Sequence, residues 1–143
     1  MCDMRCVLDT NVIVAAMRSP SGASAELLRM ARREQIQLVA NVALAIEYEA
    51  VCKLAEHQLA AGLETKEVDA FLDAVVAMID PVETHFMWRP ELRDPADEFV
   101  LEAAVNGRAD AIVTFNLRDF GIIPKRFGVA LLKPLDIVRR SLP

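Results

Sequence analysis

Apolar and polar positions along the chain fall into short blocks that switch between the strand period and the helix period. Cys6, Val7 and Leu8 form an apolar run that ends on Asp9, Thr10 and Asn11, which predicts a strand with a carboxylate at its end. Val12 to Ala16 then predicts a short helix, and Asp9, Thr10 and Asn11 would also serve as its N-caps. Arg18 to Gly22 is a turn cluster, after which Ser24 is expected to cap a helix with Leu27, Leu28 and Ala31 inward. Arg29, Arg32, Arg33 and Glu34 take its outer face, and Ile36 to Ala40 predicts a second strand.

Asn41 opens a long helix predicted to reach about Ala61. Leu44, Tyr48, Val51, Leu54 and Ala55 form its apolar stripe, with Glu49, Lys53 and Glu56 opposite. Glu47 falls inside the stripe. A carboxylate turned toward a core needs an arginine or a cation to offset its desolvation. Thr65 to Ile79 predicts a second amphipathic helix, inward at Val68, Phe71, Leu72, Val75, Val76 and Ile79 and stopped by Pro81. Val82 to Phe86 reads as an edge strand, followed by a loop in which Trp88 and Arg89 would pack, fill an oligomer contact or stack on a base.

Asp94 followed by Pro95 predicts a helix start, with Asp97 at the acid position of a capping box. On a helical wheel Asp97 shares its face with Val100, Leu101 and Ala104, while Glu98, Glu102 and Asn106 occupy the other side. Asp97 is therefore expected to turn inward, at the positive end of its helix. Gly107 ends that helix, and Ala111 to Thr114 predicts a strand closing on a polar cluster of Thr114, Asn116 and Asp119. Val129 to Leu132 predicts the last strand and Pro134 opens a closing helix through Ile137 and Val138. Arg118, Lys125 and Arg126 would form a basic rim. Strands alternating with helices predict an α/β fold with a mainly parallel sheet.

Composition narrows this. The 143 residues, 54% hydrophobic, suffice for one domain with a sizeable core. The apolar runs stop well short of the roughly 20 residues of a membrane span, and the start lacks the layout of a signal peptide, so a soluble, cytoplasmic protein is expected. Its three cysteines, Cys2, Cys6 and Cys52, lack Cys-x-x-Cys spacing, and the last two read as small buried hydrophobes. A net charge of −5 argues against a broad basic grip on nucleic acid. Setting aside Asp9, Glu47, Asp94, Asp97 and Asp119 leaves the remainder neutral, and a hard cation among those five would offset their charge.

The candidate ligands are all oxygen donors, which suits Mg²⁺ or Mn²⁺ rather than zinc. The two histidines, His57 on a presumed solvated helix side and His85 in the presumed edge strand, are poorly placed for a metal site or general base. No glycine-rich dinucleotide turn, phosphate loop or Gly-x-Ser-x-Gly is present. Metal-assisted hydrolysis of a phosphodiester remains.

Four ordered blocks carry a resemblance: Val7 to Val12, Glu47 to Val51, Asp94 to Leu101, and Ile112 to Phe120. Together they resemble the PIN domain, and within it the toxin components of toxin-antitoxin pairs, the VapC-like ribonucleases. The resemblance implies a three-layer α/β/α sandwich and a Mg²⁺- or Mn²⁺-dependent endoribonuclease. It implies an RNA substrate, a cognate antitoxin and a homodimer or higher homo-oligomer. Asp9, Glu47 and Asp97 match the family's acids; the fourth falls at Asn116 in some members and at Asp119 here. Thr114 and Asn11 match residues that orient the acids or the water, with Asp94 and Asn116 in support. Arg89, Arg118, Lys125 and Arg126 are weaker candidates for holding substrate. Where relatives continue from the Glu47 block into an Arg-Pro-Lys-like segment, Lys53 to His57 continues here as predicted helix. Two other readings stay open: a catalytically inactive RNA-binding or regulatory module, and a haloacid-dehalogenase-like phosphatase. The second usually needs an acid where Asn11 stands.

Overall fold

The structure, a computed structural model, describes residues 4–83, 92 and 94–140. Strand β1 (Arg5–Leu8) leads through α1 (Thr10–Arg18) and α2 (Ala23–Arg32) to β2 (Gln37–Ala40). Next come α3 (Val42–Cys52), α4 (Ala55–Ala61), α5 (Thr65–Ala77) and β3 (Ile79–Pro81). The second half runs α6 (Pro95–Asn106), β4 (Ala111–Val113), α7 (Leu117–Phe120), α8 (Ile123–Arg126), β5 (Ala130–Leu132) and α9 (Pro134–Arg140).

All five strands are parallel and lie in the order β3-β2-β1-β4-β5. The register sets Val7 beside Ile112 and Leu8 beside Val113, all of them buried. Strands covered on both faces need continuous apolar runs, which is why these blocks show no alternation. Right-handed crossovers put the connections leading out to β3 and those leading back to β5 on opposite faces, giving an α/β/α sandwich. Helix α6 packs directly on β1, β2 and β4. No described helix is long and apolar enough to cross a membrane.

The structure corrects several expectations. The long helix from Asn41 is broken: Lys53 closes α3 and Leu54, in extended conformation, opens α4. The break is held by side chains, since Lys53 Nζ reaches Glu49 at 3.1 Å and Asp69 at 2.9 Å, and Gln58 Nε2 donates to the freed Lys53 carbonyl. It leaves Leu54 and Ala55 exposed, outside the expected stripe, and turns α4 onto α1. His57 there is mostly buried rather than solvated, with Nδ1 3.3 Å from Arg18 Nη1. Helix α5 ends at Ala77, and Ile79 and Pro81 belong to an edge strand that ends before Val82, where the expected one began. Thr84, His85, Phe86, Trp88 and Arg89 lie outside the described residues. Gly22, not Ser24, is the N-cap of α2. Lys125 and Arg126 stand on α8.

Gly107 ends α6 for a packing reason. Its backbone is right-handed, but a Cβ there would lie 2.5 Å from Val39 Cγ1 and 2.7 Å from the Ala103 carbonyl oxygen. The bare glycine lets the end of α6 rest on β2, and its carbonyl accepts from Arg5 Nε and Nη2.

Candidate active site

Strand order reverses between β1 and β4, and in such sheets ligands gather in the crevice beyond the carboxyl ends of the strands. Asp9 follows β1 and Thr114 follows β4, so the fold places both at that crevice. The Asp9 N–H donates to the Val113 carbonyl at 2.9 Å, continuing the ladder one residue past the strand. Both carboxylate oxygens of Asp9 are then fixed: Oδ1 accepts the Thr10 N–H at 2.8 Å and Oδ2 the Thr114 hydroxyl at 2.7 Å. Thr114, wholly buried, accepts in turn from the Asn116 N–H at 3.0 Å. Asp9 thus both caps α1 and faces the crevice, so the two sequence readings of this residue coexist. Burial raises its pKa; the Thr114 and Thr10 bonds pull it back, and Asp94 and Asp119 raise it further.

The second buried carboxylate is Asp97, in the first turn of α6 and 9% exposed. Burial first, then the charges of Asp9, Asp94, Asp119 and Glu98, push its pKa up to about 7. Asp94 is the N-cap, accepting the Ala96 N–H at 2.9 Å. Among the described residues Asp97 makes no reciprocal capping bond and so is not the acid of a capping box. It lines a cavity of about 490 Å³ together with Asp94, Arg118 and Asp119. Asp119, on α7, is exposed, and Gly121 behind it takes a left-handed φ of 54° that returns the chain to this wall. Asn116 is exposed and does not line the cavity, so of the two candidates for the fourth acid position Asp119 stands with Asp97.

Other expected site residues are placed differently. Glu47 is half-buried, not turned fully into the core, and is not among the acids that act on Asp9 or Asp97. Its neighbour Tyr48 is buried and donates its hydroxyl to the carbonyl of Leu8, which brings α3 alongside the end of β1. Asn11 Oδ1 accepts, at 3.5 Å, from the Phe115 N–H. Lys125 and Arg126 do not line the acidic cavity, whereas Arg118 does. Arg89 lies outside the described residues.

Sequence reasoning missed three contributors. Glu98, assigned to solvent, is 7% exposed, and its carboxylate accepts the Leu92 N–H, anchoring the segment before α6. Asn41 caps α3 and also donates to the Phe99 carbonyl at 3.1 Å, tying α3 to α6. The Tyr48 hydroxyl is the third. Periodicity gives no signal for these three bonds, because each partner lies outside the helix that the residue belongs to or caps.

Among the described residues no basic side chain forms an ion pair with Asp9, Asp94, Asp97 or Asp119; the salt bridges all lie elsewhere. No three potential ligands among them already form a closed cage. Two buried carboxylates with an acidic rim fit a hard cation of the Mg²⁺ kind, which usually takes one or two carboxylates and keeps its waters and substrate oxygens. They do not fit an all-protein calcium or zinc cage.

Comparison with known proteins agrees with this geometry. The family model described as PIN domain matches residues 5–118. Among solved structures the chain is similar to VapBC2 from Rickettsia felis bound to a DNA fragment from their promoter. The TM-score is 0.56 and the identity 15%, over 90% of this chain and 97% of that one, a likeness of fold. Comparison with curated proteins finds no match. With the parallel sheet, the acids at its switch point and a family match over most of its length, this chain belongs to the PIN-domain family.

Proposed function

We propose that the protein is a divalent-metal-dependent endoribonuclease, the toxin of a toxin-antitoxin pair. The observation that carries this reading is the pairing of buried Asp9 and Asp97 at the sheet's switch point, with Asp94 and Asp119 adding negative charge and no cation of the described chain in place. Membership of the PIN family and the likeness in fold to VapBC2 support it.

Asp9 and Asp97 would hold Mg²⁺ or Mn²⁺, with Asp119 completing the site from the rim and Glu47 reaching in from α3 beside Tyr48. When bound, such an ion supplies a water of lowered pKa and offsets the charge of the phosphodiester being cut. The chain's own part is positional. The Thr114 hydroxyl and Thr10 N–H hold the Asp9 carboxylate in one rotamer, so its free lone pairs face the crevice. Glu98 fixes the chain leading into α6, and so the place of Asp97. Arg118, at the cavity wall, offers a cation to a substrate phosphate. The proposed partners are RNA, an antitoxin protein and a second copy of the chain.

The test is cleavage of single-stranded RNA by the purified protein. Products should form with Mg²⁺ or Mn²⁺, vanish in EDTA, and be lost in a folded Asp9→Asn variant. Phosphate release from small monoesters without RNA cleavage would favour the phosphatase reading, and RNA binding without products the inactive module.

A further inference from the structure

A second cavity, of about 530 Å³, opens at the same carboxyl edge of the sheet, between α1, the start of α2 and the segments that follow β4 and β5. Helix α2 has ten residues, and its N-cap, Gly22, has no side chain with which to accept a hydrogen bond. Among the described residues the N–H groups of Ala23, Ser24 and Ala25 find no acceptor, so the helix presents free donors and partial positive charge there. Glu26, the one acid in that first turn, is engaged by Arg29 and Arg33.

Three further observations point to a ligand. Ser24 lines the cavity and is 4% exposed, yet its hydroxyl has no hydrogen-bond partner, a rare state for a buried polar group. Lys133, just past β5, lines the same cavity and forms no ion pair among the described residues; Asp136 is bonded to its backbone N–H. Phe115, next to Thr114, adds a ring that is 48% exposed. The Phe115 N–H donates to Asn11 and the Thr114 hydroxyl to Asp9, so a residue lining this cavity directly follows the one that holds Asp9. Gly22 has an ordinary φ of −83°, and a Cβ there would lie 3.2 Å from Ser19 Oγ, so a side chain needs only that hydroxyl to move by a few tenths of an ångström. Its missing side chain leaves the helix start uncapped and open to an anion.

We propose that this cavity is a phosphate subsite for single-stranded RNA. One backbone phosphate sits on the N-terminus of α2, bound by its free N–H groups and the Lys133 ammonium, the enclosed Ser24 hydroxyl turning about its Cα–Cβ bond to gain the partner it lacks, and the adjoining base rests on Phe115. This rests on the ribonuclease reading and extends it: the acids cut, and the α2 subsite holds the strand beside the cut.

The test measures anisotropy of a fluorescent single-stranded oligoribonucleotide with full-length Asp9→Asn protein in EDTA, across a salt series. Lys133→Glu should weaken binding by about tenfold, and Lys133→Ala should lower the slope of log affinity against log salt by about one. Gly22→Asp should cap α2, keeping or raising the melting temperature, while weakening RNA; misfolding cannot produce that combination. In the otherwise wild-type protein, Lys133→Glu should raise KM for RNA and leave kcat. Unchanged affinity, salt slope and KM would overturn the subsite while RNA cleavage by the wild type upheld the nuclease. A wild type that neither binds nor cleaves RNA would overturn both. Binding of inorganic phosphate without RNA would overturn the polynucleotide assignment.

Discussion

At the scale of single residues, Asp97 carries a large electrostatic cost of the site. Its folded-state pKa, raised to about 7 by burial and by four neighbouring acids, lies above that of an ordinary aspartate. A group raised in this way contributes stability that is present below its unfolded pKa and is lost as pH rises through the folded value. The metal-free protein should therefore lose stability between about pH 4 and pH 7. Asp97→Asn removes the charge, so at pH 8 in EDTA its melting temperature should exceed that of the wild type by about 2–4 °C for each kcal/mol relieved. At pH 5 the gap should narrow and below about pH 4 it should close, and a melting curve unchanged or lowered at pH 8 would count against carboxylate crowding. Two thiols supply a second check at this scale. Burial pushes Cys6 up to about 12 and Cys52 up to about 11, so neither forms thiolate at pH 8. Peptide mapping after brief iodoacetamide treatment should find both unmodified in the folded protein; alkylation of Cys6 would contradict its burial in the central strand β1.

At the scale of elements, legibility in the sequence follows the kind of contact. The strands β1, β2 and β4 were readable because burial on both faces requires unbroken apolar runs, and the edge strand β5, only half-buried, by its short apolar run alone; Asp9 and Thr114 were readable as the polar residues that end two of them. The break between α3 and α4 was not, since it depends on Lys53 meeting Asp69 and Gln58 catching a freed carbonyl. Nor was burial of Glu98, which the Leu92 N–H makes possible. Periodicity assigns a face; it carries no information on a partner arriving from another segment. Two substitutions test the elements that build the site. Gly107→Ala would force a methyl group against Val39 and should destabilise the protein by about 1–3 kcal/mol in urea unfolding. A loss below that range would mean that α6 does not depend on close approach to β2. Thr114→Val keeps the shape but leaves Asp9 Oδ2 without its donor, and should lower RNA cleavage by about ten- to a hundredfold. Cleavage at the wild-type rate would remove Thr114 from the positioning of Asp9.

For the whole molecule, the net charge of −5 and the proposed grip on RNA are reconciled by where the charges lie. Asp94 and Asp119 act on Asp9 and Asp97 at the crevice, while Arg118 stands at the wall of the acidic cavity and Lys133 at the wall of the cavity beside α2. With a divalent cation bound, that edge of the sheet would turn from repelling a phosphodiester to attracting one. The cation is therefore the point on which the account turns, and it can be observed without any assay of activity. Titration of the metal-free protein with Mn²⁺, followed by the loss of free-ion signal in electron paramagnetic resonance, tests it most directly. Saturable binding to the wild type, weakened by at least about tenfold in folded Asp9→Asn and Asp97→Asn variants, is the predicted result. Equal Mn²⁺ binding in all three proteins, or none in the wild type, would contradict the account.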